Sequence, residues 1–260
     1  MIRESIKLGQ VSCDYVGKQE WLDIGRRWLK RGGWHHVVTL NPEMVIQAET
    51  DPMFRQAVMD ADLRVPDGAG LIWARWYLRS KFWPWLPSLL AFLWQPVERI
   101  TGVDAVLDLA KLCAETKQPI CLLGGEEIAA QRVADWLRKK YSGLVVQVAP
   151  PHQFAQEGPK LVLDHINHAQ PAVLLVAYGA PKQSEWISAH KNDLSSVVIG
   201  IGVGGAFDIL SETLPRAPKF LRQINMEWLW RLYLEPARGP RIWQAVVRFP
   251  LLVRKQKNSC

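Results

Sequence analysis

Short apolar runs alternate with stretches of helical period along most of this chain. HHVVTLN (35–41) predicts a strand, and PEMVIQAE and PMFRQAVMDA predict two helices after it. DLRVP (62–66) predicts a second strand. In TGVDAVLDLAKLCAETK (101–117), Val103, Val106, Leu107 and Ala110 fall at helical spacing. PICLLGG (119–125) reads as a strand closed by two glycines, with a helix following it through Tyr141. LVVQVAP (144–150), AVLLVAYG (172–179) and SSVVIGIGVGG (195–205) complete the strands, and a helix starts at Pro181. Strands that alternate with helices predict a parallel sheet covered on both faces. In such sheets ligands bind beyond the carboxyl ends of the strands. VPDGAG, LLGG, AYGAPKQ and IGVGG all stand at such ends, so four special loops are expected on one rim.

Two segments break the alternation. Residues 71–97 hold Trp73, Trp76, Trp83, Trp85 and Trp94, with Pro84 and Pro87 among them. They fit a core helix followed by an apolar loop, or an interfacial patch of the kind tryptophan favours at lipid headgroups. In the tail, KFLRQINMEWLWRLYLEP reads as an amphipathic helix ended by Pro236. Beyond it Arg241, Arg248 and Lys255 recur every seven residues, with Ile242, Val246, Phe249 and Val253 on another side. Pro250 is expected to kink or end that helix.

Charge sharpens the picture of the tail. The net charge is +7, yet residues 213–260 alone carry ten Lys or Arg against Glu227 and Glu235, a balance of +8. The rest of the chain is close to neutral. A cationic amphipathic tail fits an anionic partner, a phospholipid surface or a diphosphate. The organisation expected is a globular unit over 1–212 and a basic appendage over 213–260. Hydrophobic residues make up 48% and charged residues 22%, enough for a real core. Cys13, Cys113, Cys121 and Cys260 form no CxxC pair or zinc spacing and read as reduced thiols. The N-terminal stretch lacks the apolar core of a signal peptide. No apolar run reaches the roughly 20 residues that span a bilayer.

The standard chemical signatures are weak. Asp60-Ala61-Asp62 spells DxD, but at a helix-to-strand junction, and no metal site is expected. His35 and His36 point to opposite faces of a strand and cannot chelate one ion. Gly200, Gly202, Gly204 and Gly205 resemble a dinucleotide turn, but no acidic residue follows about 20 positions on, as that fingerprint requires. What remains is a set of polar residues at strand ends. Thr39 and Asn41 close the first strand, and Asp67 sits on a proline–glycine turn closing the second. Asp67 is either a working carboxylate or a cap for the helix over 68–79. Gly124 and Gly125 offer backbone amides to a phosphate at a helix start. Gln183 lies in a first helical turn. Together they point to a nucleotide-containing substrate.

TLNPEMV, ADLRVPDGAG, ERITGVD, LLGG, YGAPKQSEW, GVGGAFD, RAPKF and EWLWRLYLEPARGPR, in that order, resemble the WecG/TagA/CpsF family of bacterial glycosyltransferases. The resemblance runs from about Val11 to Arg241. It implies a Rossmann-like α/β domain with a C-terminal appendage. It further implies inverting, metal-independent transfer of a sugar from a UDP-sugar to a polyprenyl-diphosphate-linked sugar, peripherally on the cytoplasmic membrane face. Asp67 takes the place of the general base, with Thr39, Asn41, Gln183 and Arg99 beside it. Gly68, Gly124, Gly125, Tyr178, Gly179, Pro181 and Gly204 are the expected donor-binding residues. Arg231, Arg238 and Arg241 are the appendage arginines, for the donor diphosphate, the lipid diphosphate or the membrane. Ser211-Glu212 stands where members often have Ala-Gly, and the segment before ERITG is longer and richer in tryptophan. The sugar expected is N-acetylmannosamine, its uronic acid, glucose or glucuronate. No cofactor and no nucleic-acid partner are expected; monomer and homo-oligomer are both open. Two other classes fit parts of the pattern: a nicotinamide-dependent oxidoreductase, and a non-catalytic membrane-associated protein that holds a lipid or nucleotide.

Overall fold

The computed structural model describes residues 4–80, 99–149, 159–213, 217, 218, 220, 221 and 226–259. An antiparallel hairpin of β1 (Glu4–Leu8) and β2 (Val11–Tyr15) precedes helix α1 (Lys18–Arg31). The alternating part follows as β3 (His35–Leu40), α2 (Pro42–Thr50), α3 (Pro52–Met59), β4 (Leu63–Pro66) and α4 (Ala69–Arg79). It continues through α5 (Gly102–Thr116), β5 (Ile120–Gly124), α6 (Glu127–Lys140), β6 (Val146–Val148) and α7 (Pro159–Ala169). It closes with β7 (Val173–Ala177), α8 (Lys182–Ala189), β8 (Ile199–Gly202) and α9 (Ala206–Leu210). Six strands form one parallel sheet in the order β4-β3-β8-β7-β5-β6. The α/β class expected from the alternation is the one observed.

The strands are apolar on both faces because both are covered. Leu122 and Leu175 enter one core with Trp21, Leu109 and Val133. Their neighbours Leu123 and Leu174 enter another with Val162, Ile166 and Ile187. A third core packs Val38 and Leu40 against α2, α3, α4 and the hairpin. Proline at the first turn and an aspartate or asparagine cap start α2 and α3: Asn41 Oδ1 accepts from Met44 N–H and Asp51 Oδ1 from Phe54 N–H. The predicted strand 144–150 shortens to three residues at the sheet edge.

The tail runs as α10 (Glu227–Leu234), a 3-10 turn (Pro236–Arg238), α11 (Gly239–Trp243), a π turn (Gln244–Arg248) and α12 (Phe249–Asn258). Pro236 ends α10 as expected. Pro250 does not end the helix: it lies in the first turn of α12, after a π turn, and the junction residues Arg248 and Phe249 stay in helical backbone. A wider turn fits a residue that lacks the N–H for the usual i to i−4 bond. Arg241, Arg248 and Lys255 are exposed, while Phe249 and Val253 are fully buried in the third core with Trp73 and Tyr77. Lys257 Nζ reaches the carbonyls of Tyr77 and Ser80, and Gln256 bridges Lys7 and Gly9. Trp73 and Trp76 belong to this core; the remaining tryptophans of 71–97 lie outside the described residues.

Candidate active site

Asp67 sits where β4 hands over to α4. Its N–H donates to Leu40 O at 2.6 Å, tying the turn to β3. Gly68 follows with φ +133°, a backbone that favours glycine. Gly68 is itself the cap position of α4, with no side-chain hydrogen bond, so Asp67 is not spent on capping that helix. Its carboxylate feels the Gly102 N–H at the start of α5. The start of that helix packs against the end of β8 because residue 102 is glycine: a β-carbon there would lie 2.5 Å from Val203 O. Thr101 and Asp104 fix the helix start by capping one another. The carboxylate is surrounded by protein and open to a cavity of about 580 Å³. Burial pushes it up to about 7; Arg99 and the Gly102 amide pull it down, while Glu227 and Asp104 push it further up.

The carboxyl ends of four adjacent strands, β4, β3, β8 and β7, form the cavity floor. Thr39 and Asn41 line it from β3, Gly68 from β4, Gly179 and Gln183 from beyond β7, and Gly204 from beyond β8. Thr39 Oγ1 donates to Gly202 O at 2.8 Å, and buried Gln183 accepts from Gly204 N–H at 3.0 Å. These bonds hold the polar groups of three loops in one register.

The tail forms the opposite wall. Arg231, Arg238 and Arg241 line the cavity together with Arg99 and the apolar Trp228, Ile242, Val246 and Pro250. Each guanidinium has a carboxylate neighbour. Arg99 meets Glu227 at 2.9 Å and Arg238 meets Glu235 at 3.0 Å. At 3.5 Å, Arg231 faces Glu235 and Arg241 faces Glu43. Burial and neighbouring Arg238 both lower the proton affinity of Arg231, and burial raises those of Glu43 and Asp208.

Four predicted residues lie apart from the cavity lining. Gly124 and Gly125 end β5, one strand beyond β7, and Gly125 N–H is bonded to Ala177 O. Both have positive φ, and a β-carbon on Gly124 would lie 2.6 Å from the Tyr178 ring. Tyr178 stacks edge-on against Trp186, and Pro181 stands before α8. The DxD aspartates are at the other end of the sheet. Asp60 and Asp62 precede β4 and line a pocket of about 210 Å³ with His36 and Lys191. Asp62 accepts His36 N–H there at 2.9 Å.

A model of the glycosyl transferase WecG/TagA/CpsF family matches residues 6–259. The chain belongs to this family. It is 28% identical over 224 residues to N-acetylglucosaminyldiphosphoundecaprenol N-acetyl-beta-D-mannosaminyltransferase of Staphylococcus aureus strain NCTC 8325, covering 86% of this chain and 81% of the relative. The proteins of the same name from strains COL and MRSA252 match at the same identity and coverage. The chain is therefore a glycosyltransferase.

For a glycosyltransferase the cavity supplies three things. A carboxylate in the neutral range can accept a proton. Guanidinium groups can neutralise a diphosphate through paired hydrogen bonds. The third is an apolar stretch of wall made by Trp228, Ile242, Val246 and Pro250. Glu43 and Glu227, which hold two of the arginines, were not singled out by motif reading, although each lies inside a quoted block, TLNPEMV and EWLWRLYLEPARGPR. Their neighbourhood to an arginine far along the chain is what was missing. Among the described residues no helix is long and apolar enough to cross a membrane.

Proposed function

We propose that this glycosyltransferase moves an N-acetylmannosamine-type sugar from a UDP-sugar to a polyprenyl-diphosphate-linked saccharide, with inversion, in the assembly of a cell-surface polymer. The observation that carries the reading is Asp67, held at the cavity floor beneath four arginines with its carboxyl near neutrality. The acceptor hydroxyl attacks the anomeric carbon from the face opposite the UDP. A new C–O bond forms as the bond from the anomeric carbon to the diphosphate oxygen breaks, and UDP leaves with that electron pair. The hydroxyl proton passes to Asp67. We assign the charge of the departing diphosphate to Arg231, Arg238 and Arg241 rather than to a metal ion. Gln183 and Thr39 keep the strand-end loops in position, and Asn41 lines the donor side.

The names of the Staphylococcus aureus relatives support the acceptor and sugar classes. The lipid part of such an acceptor stays in a bilayer, so the protein works peripherally on the membrane's inner face. The exposed Arg248 and Lys255 of the tail suit anionic headgroups. The test is UDP release by purified protein with a panel of UDP-sugars and a short-chain polyprenyl-diphosphate-GlcNAc acceptor, with and without EDTA. Acceptor-dependent release from UDP-N-acetylmannosamine, insensitive to EDTA and lost in Asp67→Asn, is expected. Equal turnover by Asp67→Asn would overturn the role of the base. Release from another donor alone would overturn the sugar, and loss of release in EDTA would overturn the metal-free assignment.

A further inference from the structure

The ion pair of Arg99 and Glu227 joins two distant parts of the chain. Arg99 stands just before α5; Glu227 opens α10 in the tail. Their side chains meet at 2.9 Å and are mostly buried, 18% and 25% exposed. Both line the cavity that Asp67 faces, and both act on its carboxylate in opposite senses. The other groups acting on it are the Gly102 N–H, which favours the charged form, and Asp104 in the first turn of α5, which disfavours it. Further round the cavity stand Glu43 on α2, and Arg231, Arg238 and Arg241 in the tail, and behind them Asp208 on α9 and Glu235.

A guanidinium bound wholly to one carboxylate lowers its proton affinity by one to three units, as a rough guide. A base so weakened takes a proton poorly in the transition state. Here the guanidinium of Arg99 already has a partner. Resting on the reading of Asp67 as the base, we propose that Glu227 is a positioning residue for sugar transfer: it holds Arg99 and balances its charge, so that Asp67 keeps the basicity needed to take the acceptor proton. Because Glu227 belongs to the tail, the strength of the base at the end of β4 depends on α10 being seated.

The experiment is the pH profile of kcat/KM for the wild type and the variants Glu227→Gln, Glu227→Asp, Arg99→Gln and Asp67→Asn. Glutamine keeps an acceptor for Arg99 and removes the charge. The acid limb of Glu227→Gln is expected to move to lower pH by about one unit, the scale of one nearby charge, and the plateau to fall. Glu227→Asp restores the wild-type limb, and Arg99→Gln moves it to higher pH. A Glu227→Gln profile reduced equally at every pH, with its limb unmoved, would overturn the inference while leaving Asp67 as the base. Near-normal activity of Asp67→Asn would overturn the base, and the inference with it.

Discussion

Gln183 occupies the space that a side chain on Gly202 would need. A β-carbon at Gly202 would lie 2.5 Å from Gln183 Nε2, while Gln183 Oε1 accepts from Gly204 N–H at 3.0 Å. The last residue of β8 is thus glycine because the glutamine from α8 crosses over it. Gly202→Ala is expected to cost about 1–3 kcal/mol through overpacking, measured by chemical denaturation. It should also lower turnover by displacing Gln183, whereas Gly143→Ala, strained by a φ of +78° in the turn after α6, should cost stability without lowering turnover.

Asp67 should make stability depend on pH in a direction opposite to that of a salt-bridged aspartate. Its carboxyl is raised from 3.8 to about 7 in the folded protein. Between those values the folded state holds a proton that the unfolded state has lost. The stabilisation is full below about pH 4 and is lost as pH rises through 7. Asp67→Asn is therefore expected to raise Tm at pH 8 relative to wild type, to raise it by less at pH 5, and to change it little at pH 4. A pH-independent difference in Tm between the two proteins would contradict this.

Arg231 is expected to contribute to diphosphate affinity through its fork as well as its charge. Arg231→Ala should weaken UDP binding by about tenfold or more, the scale of one charge-assisted hydrogen bond. Arg231→Lys should recover only part of it. Isothermal titration with UDP at two salt concentrations measures both; equal affinity of wild type and alanine variant would remove Arg231 from the donor site.

Phe249 tests the seating of the tail. It is fully buried among Trp73, Tyr77 and Leu71. Phe249→Ala is expected to cost about 3–5 kcal/mol and to lower transferase activity with it, since the same helical run carries Arg241 and Ile242 to the cavity wall. Leu251→Ala, at a position 47% exposed, should change denaturation little.

The alternation of apolar runs with helical periods was sufficient for the parallel α/β sheet, because a strand buried on both faces must be apolar throughout. Thr39, Asn41, Asp67 and Gln183 were legible as strand-end polar groups, and the structure brings them to one cavity. The N-terminal hairpin and α1 went unread, although Trp21, Ile24, Trp28 and Leu29 keep helical spacing within a charged stretch. Strand order was decided only in three dimensions. It follows from which crossovers pack on which face, and it places β5, with Gly124 and Gly125, one strand outside the cavity. The ion pair of Arg99 with Glu227 spans 128 residues, beyond any local periodicity. The elements and the chemistry waiting at their ends are local, and so the order of residues along the chain is enough to specify them. Tertiary packing decided which ends meet and which charges face Asp67, since both depend on contacts between segments far apart in the chain.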